Sequence, residues 1–196
     1  MRLFACTLLG STDRAFYDDV VRRLVDQHGR LIRPIPHESA HVTYAFIAHL
    51  DARRLPAAVE ALEFAAGRQE PASVAIGDPE VRFAGREARL IDAPIVDGGA
   101  ALAHIADEIA AALEVALPGA PINRSRSPHV TLARFRRGTT RRAAQPVVET
   151  LAGPDARTLR HAGFTDVQLV SSELTASGPI YAVQASCRLG GLKAKP

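Results

Sequence analysis

One short phrase occurs twice in this chain. Residues 39–47 read SAHVTYAFI and residues 127–135 read SPHVTLARF, so Ser-x-His-Val-Thr recurs with its histidines at positions 41 and 129. Both copies are rich in β-branched, aromatic and aliphatic residues and follow Pro-containing loops, which is how strands read. Residues two apart on a strand share a face, so His41 projects with Thr43, and His129 with Thr131. A shuffled chain of this composition would hold only about 0.03 copies of His-Val-Thr. Two copies therefore ask for a duplicated arrangement, with one His-Thr strand in each half.

The rest of the sequence fits that demand. Residues 2–9 read as a buried strand. Ser11 caps a helix whose apolar positions Phe16, Val20, Val21, Leu24 and Val25 recur at helical spacing until Gly29. A second helix starts near Leu55-Pro56 and stops by Gly67. Short strands are expected at 72–76, 80–84 and 88–92. A third helix carries Leu102, Ile105, Ile109 and Leu113 on one stripe and ends at Pro118-Gly119. After the second histidine strand, a helix with Pro146 near its first turn runs to Gly153, and strands near 164–171 and 179–187 follow. The order is strand, helix, His-strand, helix, strands in each half. It implies an α+β domain over residues 1–196, with two pseudo-symmetric lobes facing a common cleft.

Composition narrows the function. The 196 residues are 47% hydrophobic, enough for a substantial core. No apolar run is long enough to span a membrane, and the N-terminal stretch lacks the apolar core and cleavage site of a signal peptide. A cytoplasmic protein without a membrane partner is expected, with Cys6 and Cys187 as buried, reduced thiols. Net charge is only +3, but Arg124, Arg126, Arg134, Arg136, Arg137, Arg141 and Arg142 crowd into one segment. Such a cluster suits an anionic partner, or is a solvated face.

If the two strands converge on one cleft, two imidazoles and two hydroxyls meet one ligand. Imidazoles titrate near neutrality and can act as general base and general acid. Hydroxyls can donate to the non-bridging oxygens of a phosphoryl group, where charge accumulates. That set suits phosphodiester cleavage without a metal, and the sequence holds no H-E-x-x-H or C-x-x-C spacing. The other histidines read as structural: His28 at a helix C-terminus, His104 on a polar helix face, and His37, His49 and His161 in loops or at strand ends.

At these residues the sequence resembles the two-histidine (2H) phosphoesterases, and within them the LigT-like RNA 2′,3′-cyclic phosphodiesterases, also called 2′-5′ RNA ligases. The resemblance rests on His41-Val42-Thr43-Tyr44 and His129-Val130-Thr131-Leu132. It extends to MRLFACTLL at the start, to SPHVTLAR with its trailing Arg, and to SSELTASGPIYAVQASCRL near the end. It implies a bilobal pseudo-twofold fold, two antiparallel sheets flanked by helices around a central cleft. It also implies a monomer without metal or cofactor that hydrolyses 2′,3′-cyclic phosphates of RNA ends or small cyclic nucleotides to 2′-phosphomonoesters. His41 would protonate the departing 3′ oxygen, His129 would activate water, and Thr43 and Thr131 would hold the phosphate.

Phe46 and Arg134 share the sixth position of the repeat and are expected to clasp the terminal base. Strand parity turns that position away from the histidines unless a bulge or strand end intervenes. Two departures bear on substrate preference: Ile-Ala-His follows Phe46 where relatives have Leu-Gly-Glu, and Tyr44 replaces an aliphatic residue. Competing functions are a 2′-5′ ligase, hydrolysis of another cyclic phosphate such as an ADP-ribose derivative, and a non-catalytic RNA-binding module. The last would need no paired acid and base.

Overall fold

A computed structural model describes residues 1–154, 159–175 and 178–191, and within them every side chain but those of Phe16, His37, Leu174 and Thr175. The elements run β1 (Leu3–Leu8), α1 (Ser11–His28), β2 (Ile32–Pro34), β3 (His41–Ile47), α2 (Leu55–Gly67), β4 (Ala72–Ile76), β5 (Glu80–Ala84) and β6 (Glu87–Asp97). They continue with α3 (Gly99–Ala116), β7 (Ile122–Arg124), β8 (His129–Phe135), α4 (Arg141–Ala152), β9 (Arg160–Phe164), β10 (Asp166–Thr175) and β11 (Gly178–Arg188).

All strand pairs are antiparallel. The main path is β11-β10-β1-β3-β8-β6-β4-β9, with β7 on β3, β2 on β8 and β5 on β6. The α+β architecture of antiparallel sheets and helices agrees with the sequence reading. The two histidine strands are direct neighbours, joined where Val42 pairs with Val130. Beyond that pair they diverge. β3 then takes β7 as its neighbour, the short strand preceding β8, while β8 takes β2, the short strand preceding β3. The divergence opens a cleft above the point where the strands meet.

Both histidine strands show the same burial sequence. Val42, Tyr44, Ala45 and Ile47 are buried while His41, Thr43 and Phe46 are partly open. Val130, Leu132, Ala133 and Phe135 are buried in the second copy. Two consecutive buried positions break the strand period of two, and the strand register shows why. Against β1, Ala5 faces Ala45 but Cys6 faces Thr43, so Tyr44 is an extra residue. Against β6, Ile91 faces Ala133 but Asp92 faces Thr131, so Leu132 is extra. Each is a β-bulge, two residues opposing one, which shifts the facing of everything that follows. The carbonyl at each bulge turns aside to an amide of the neighbouring short strand's flank: Tyr44 O accepts from Ser125 N at 2.7 Å, and Leu132 O from Ile35 N at 2.9 Å.

The main core lies behind this face. Leu3, Val42, Tyr44, Ile47, Leu62, Leu102, Ile109 and Val130 belong to it. The helices α2 and α3 pack on each other, α3 covering β3 and β7, while α1 packs on β2 and β8. The Tyr44 hydroxyl, fully buried, is within 2.9 Å of Thr7 Oγ1, which donates to the Asp166 carbonyl at 2.6 Å. Burial pushes the Tyr44 phenol up to about 12. Cys6 and Cys187 are both free and buried, as expected.

Some element limits differ from the sequence expectation. Gly10 rather than Ser11 is the N-cap of α1, and Phe16 of its apolar stripe lies outside the described side chains. The last helix begins at Arg141, where the Thr140 side chain accepts from Ala143 N at 3.2 Å, so Pro146 sits inside it. The strand expected at 88–92 extends over Glu87–Asp97, and β2 and β7 arise in segments read as loops. Gly98, at φ +74, makes the turn from β6 into α3, and a Cβ there would meet the Ser73 carbonyl oxygen at 2.4 Å. Among the described residues no helix is long and apolar enough to cross a membrane.

Candidate active site

The cleft between β3 and β8 has a volume of about 430 Å³, and His41, Thr43, Phe46, His129, Thr131 and Arg134 all line it. The single Val42–Val130 pairing accounts for four of these, the two histidines and the two threonines. In an antiparallel register, one step on either side of that pair sets His41 opposite Thr131 and Thr43 opposite His129. The four groups form a small square of two imidazoles and two hydroxyls on one face.

Each imidazole is fixed the same way. His41 Nδ1 donates to the Ser39 carbonyl at 2.6 Å and His129 Nδ1 to the Ser127 carbonyl at 2.7 Å. A carbonyl can only accept, so Nδ1 carries the hydrogen and each neutral ring keeps its lone pair on Nε2. That nitrogen can accept a proton in one ring and, when the ring is charged, donate one in the other. Ser39 and Ser127 open the two repeats, so the repeated phrase includes the backbone acceptor that sets the tautomer.

Beyond this pairing the surroundings differ. Phe4 stacks on His41 with centroids 4.8 Å apart and planes at 28°. Tyr181 meets Phe4 edge-on at 5.2 Å and His41 at 6.0 Å. Burial lowers the His41 pKa below its ordinary 6.5, and the fields of His129 and Arg134 lower it further, against the hydrogen bond to Ser39. Phe4 and Tyr181 were not singled out from the sequence, although Tyr181 belongs to the Gly-Pro-x-Tyr stretch.

The bulges answer the parity question. After Tyr44 and Leu132 each strand resumes with its faces exchanged, and Phe46 and Arg134 return to the cleft side. Arg2 lies over the Phe46 ring, 5.1 Å from its centroid. The arginine cluster of residues 124–142 does not gather here. Arg134 alone of the seven lines the cleft. Arg124 pairs with Asp107, and Arg141 covers the Phe83 ring at 3.9 Å. Among the described residues no group of three or more His, Cys, Asp or Glu side chains is placed to hold a metal ion.

Comparison with known proteins agrees with this layout. Residues 16–174 match the family model described as the 2′-5′ RNA ligase superfamily. No curated protein matches the sequence. Among solved structures, TT0787 of Thermus thermophilus is similar with a TM-score of 0.78 at 23% identity, covering 97% of this chain and 99% of its own. LigT of E. coli complexed with 3′-AMP is similar with a TM-score of 0.69 at 19% identity, over 96% of this chain and 97% of its own. The PDE domain of MHV ns2 gives a TM-score of 0.55 at 15% identity, over 94% of this chain and 99% of its own. At these identities the likeness is one of fold.

Proposed function

The chain belongs to the 2′-5′ RNA ligase superfamily, and from that premise we propose that it is a metal-independent phosphodiesterase acting on 2′,3′-cyclic phosphates of RNA ends or small cyclic nucleotides. The observation that carries this reading is the pair of imidazoles with identical Nδ1–carbonyl anchors, each flanked by a threonine hydroxyl in one cleft. The whole of residues 1–196 is then one domain of two pseudo-symmetric halves, a reading supported by the exchange of β2 and β7 between the histidine strands.

In the proposed reaction the cyclic phosphate sits over the square, its non-bridging oxygens accepting from the Thr43 and Thr131 hydroxyls. His129 Nε2 removes a proton from water as its oxygen attacks phosphorus. The bond from phosphorus to the 3′ oxygen breaks, and His41 delivers its Nε2 proton to that oxygen. The products are a 2′-phosphomonoester and a free 3′-hydroxyl, and the proton count balances between the two rings. General acid and general base each supply roughly 10²–10⁴-fold in such schemes. Preorganised donors at the phosphoryl oxygens add to this by meeting charge where it develops. Phe46 offers a ring to the base of the same nucleotide, and LigT, similar in fold, is known complexed with 3′-AMP.

Incubation with a nucleoside 2′,3′-cyclic phosphate in EDTA tests the reading. The 2′-phosphate is expected as the product. No turnover, or turnover undiminished in both His41→Ala and His129→Ala, overturns it.

A further inference from the structure

We infer that Arg33 and Arg134 form a second anion subsite, which holds a phosphate of the ligand other than the one that reacts. The inference rests on the phosphodiesterase reading and concerns what kind of cyclic phosphate the cleft takes.

Arg33 on β2 is the cross-strand partner of Arg134 on β8. Directly opposed residues in an antiparallel pair share a face, with Cβ atoms about 4.5–5.5 Å apart. Arg134 lines the cleft, and so does Ile35, two positions beyond Arg33 and just past the end of β2, where its amide still bonds to the Leu132 carbonyl. Both arginines thus leave the sheet on the same face, Arg134 lining the cleft and Arg33 just outside its lining, and both residues are exposed.

Two like charges in opposed positions destabilise a sheet unless something neutralises them. The next arginine along the same row has its neutralising groups. Arg82 on β5 lies opposite Leu90, which in turn lies opposite Arg134. Its guanidinium is bonded to the fully buried carboxylate of Asp92 and lies 3.9 Å from Glu80. Arg33 and Arg134 have no such counter-charge: among the described residues neither forms an ion pair. The fold therefore tolerates an uncompensated pair of cations beside the reactive centre, and an anion bound between them would relieve it. Arginine's planar fork of donors suits phosphate oxygens.

The corresponding row in the other half isolates what is special here. Phe46 has Asn123 opposite it on β7 and Phe4 on β1. One row is aromatic and uncharged at the matching positions, and the other carries two arginines. Across the bulge Arg134 faces Leu90 and Thr131 faces Asp92, so the two stand about 7 Å apart along the strand, and long arginine side chains can reach a phosphate attached at the 5′ side of the reacting nucleotide. The fitting ligand is a 2′,3′-cyclic phosphate that also bears a 5′-phosphate, either as the diester of an RNA strand or as a phosphomonoester.

Two measurements test this. In EDTA, kcat/KM is compared for adenosine 2′,3′-cyclic phosphate, the same compound with a 5′-phosphate, and a dinucleotide ending in a 2′,3′-cyclic phosphate. The wild type is expected to favour ligands with a second phosphate by about tenfold or more. Arg33→Gln should abolish most of that preference, and Arg33→Lys should retain part of it. The salt dependence of the preferred ligand should weaken by about one unit of log–log slope in Arg33→Gln. A preference for the dinucleotide alone identifies the RNA diester as the natural source, and equal preference identifies any 5′-phosphate. Equal turnover of all three by the wild type, or a preference that survives Arg33→Gln, overturns the subsite.

Calorimetric binding of adenosine 2′-phosphate against adenosine 2′,5′-bisphosphate separates this result from the fate of the hydrolytic reading. Tighter binding of the bisphosphate, lost in Arg33→Gln, supports the subsite even if none of the cyclic ligands is hydrolysed. Equal binding of the two overturns it even if hydrolysis proceeds.

Discussion

Two rows of the sheet cross the cleft at the same position of the repeated motif, and they have opposite character. One runs Asn123–Phe46–Phe4 and the other Arg33–Arg134–Leu90. Earlier in each strand, on the far side of the bulge, the halves are the same: His, then Thr. The difference matches the shape of the nucleotide proposed as ligand. On the proposed reading, the two non-bridging oxygens of the cyclic phosphate would meet matching groups, one His-Val-Thr from each side. The nucleotide proposed as ligand would place its base in one direction and its sugar-phosphate in the other, which matches the divergence of the two rows.

The largest expected effect probes the part the halves share. His41→Ala and His129→Ala should each lower kcat on a 2′,3′-cyclic nucleotide by about 10²–10⁴-fold with little change in melting temperature. A tenfold or smaller loss in one of them would mean that only one half carries proton transfer. Thr43→Val and Thr131→Val come next, at about 10²-fold each if both hydroxyls meet developing charge. Unequal losses would show that the phosphate sits closer to one strand.

Phe46→Ala tests the divergent row. Base stacking is worth about 1–3 kcal/mol, so KM for cyclic nucleotides should rise by roughly 5- to 150-fold, and a ribose cyclic phosphate lacking a base should be little affected. Equal losses on both ligands would assign Phe46 to packing.

The pH profile sharpens the asymmetry around His41. Burial, with the fields of His129 and Arg134, keeps this ring below 6.5 in the free protein. As the proton donor it must be charged, so kcat/KM should fall as pH rises through that lowered value. A bound phosphate favours the imidazolium, so the limb in kcat should lie at higher pH. Removing the Arg134 charge should move the kcat/KM limb upward, and an unmoved limb would mean that His41 is not the group it reports. Tyr44→Phe is expected to have the smallest effect. It deletes the contact with Thr7 beneath the bulge, for about 1 kcal/mol and a melting temperature lower by roughly 2–4 °C, with kcat retained.

The sequence disclosed what local pattern can carry. The four helices, the first strand and both His-Thr faces follow from periodicity and repetition. The three-residue strands Ile32–Pro34 and Ile122–Arg124 were hidden, since three residues cannot display a period of two and Pro34 argues for a loop. The bulges at Tyr44 and Leu132 were legible only as a need: Phe46 and Arg134 had to turn, but the turning depends on which residues of β1 and β6 lie opposite. Phe4, Arg33, Asp92 and Tyr181 come to the site or its margin through pairings far apart in the chain, which no local window contains. The arginine cluster disperses for the same reason: Arg124 pairs with Asp107 on α3, while Arg141 covers Phe83 on β5.

The crossing of β2 and β7 has a consequence for how the molecule is made. Arg33 must wait for Arg134, about 100 residues later in the chain. A chain emerging from the ribosome can therefore build β1, α1 and β3 early, but β2 has no partner until the second histidine strand follows. Contacts this distant make folding slow and late. Neither half holds both histidine strands, and a chain severed at Gly98 should show the proposed hydrolysis only when its two fragments associate and exchange their short strands.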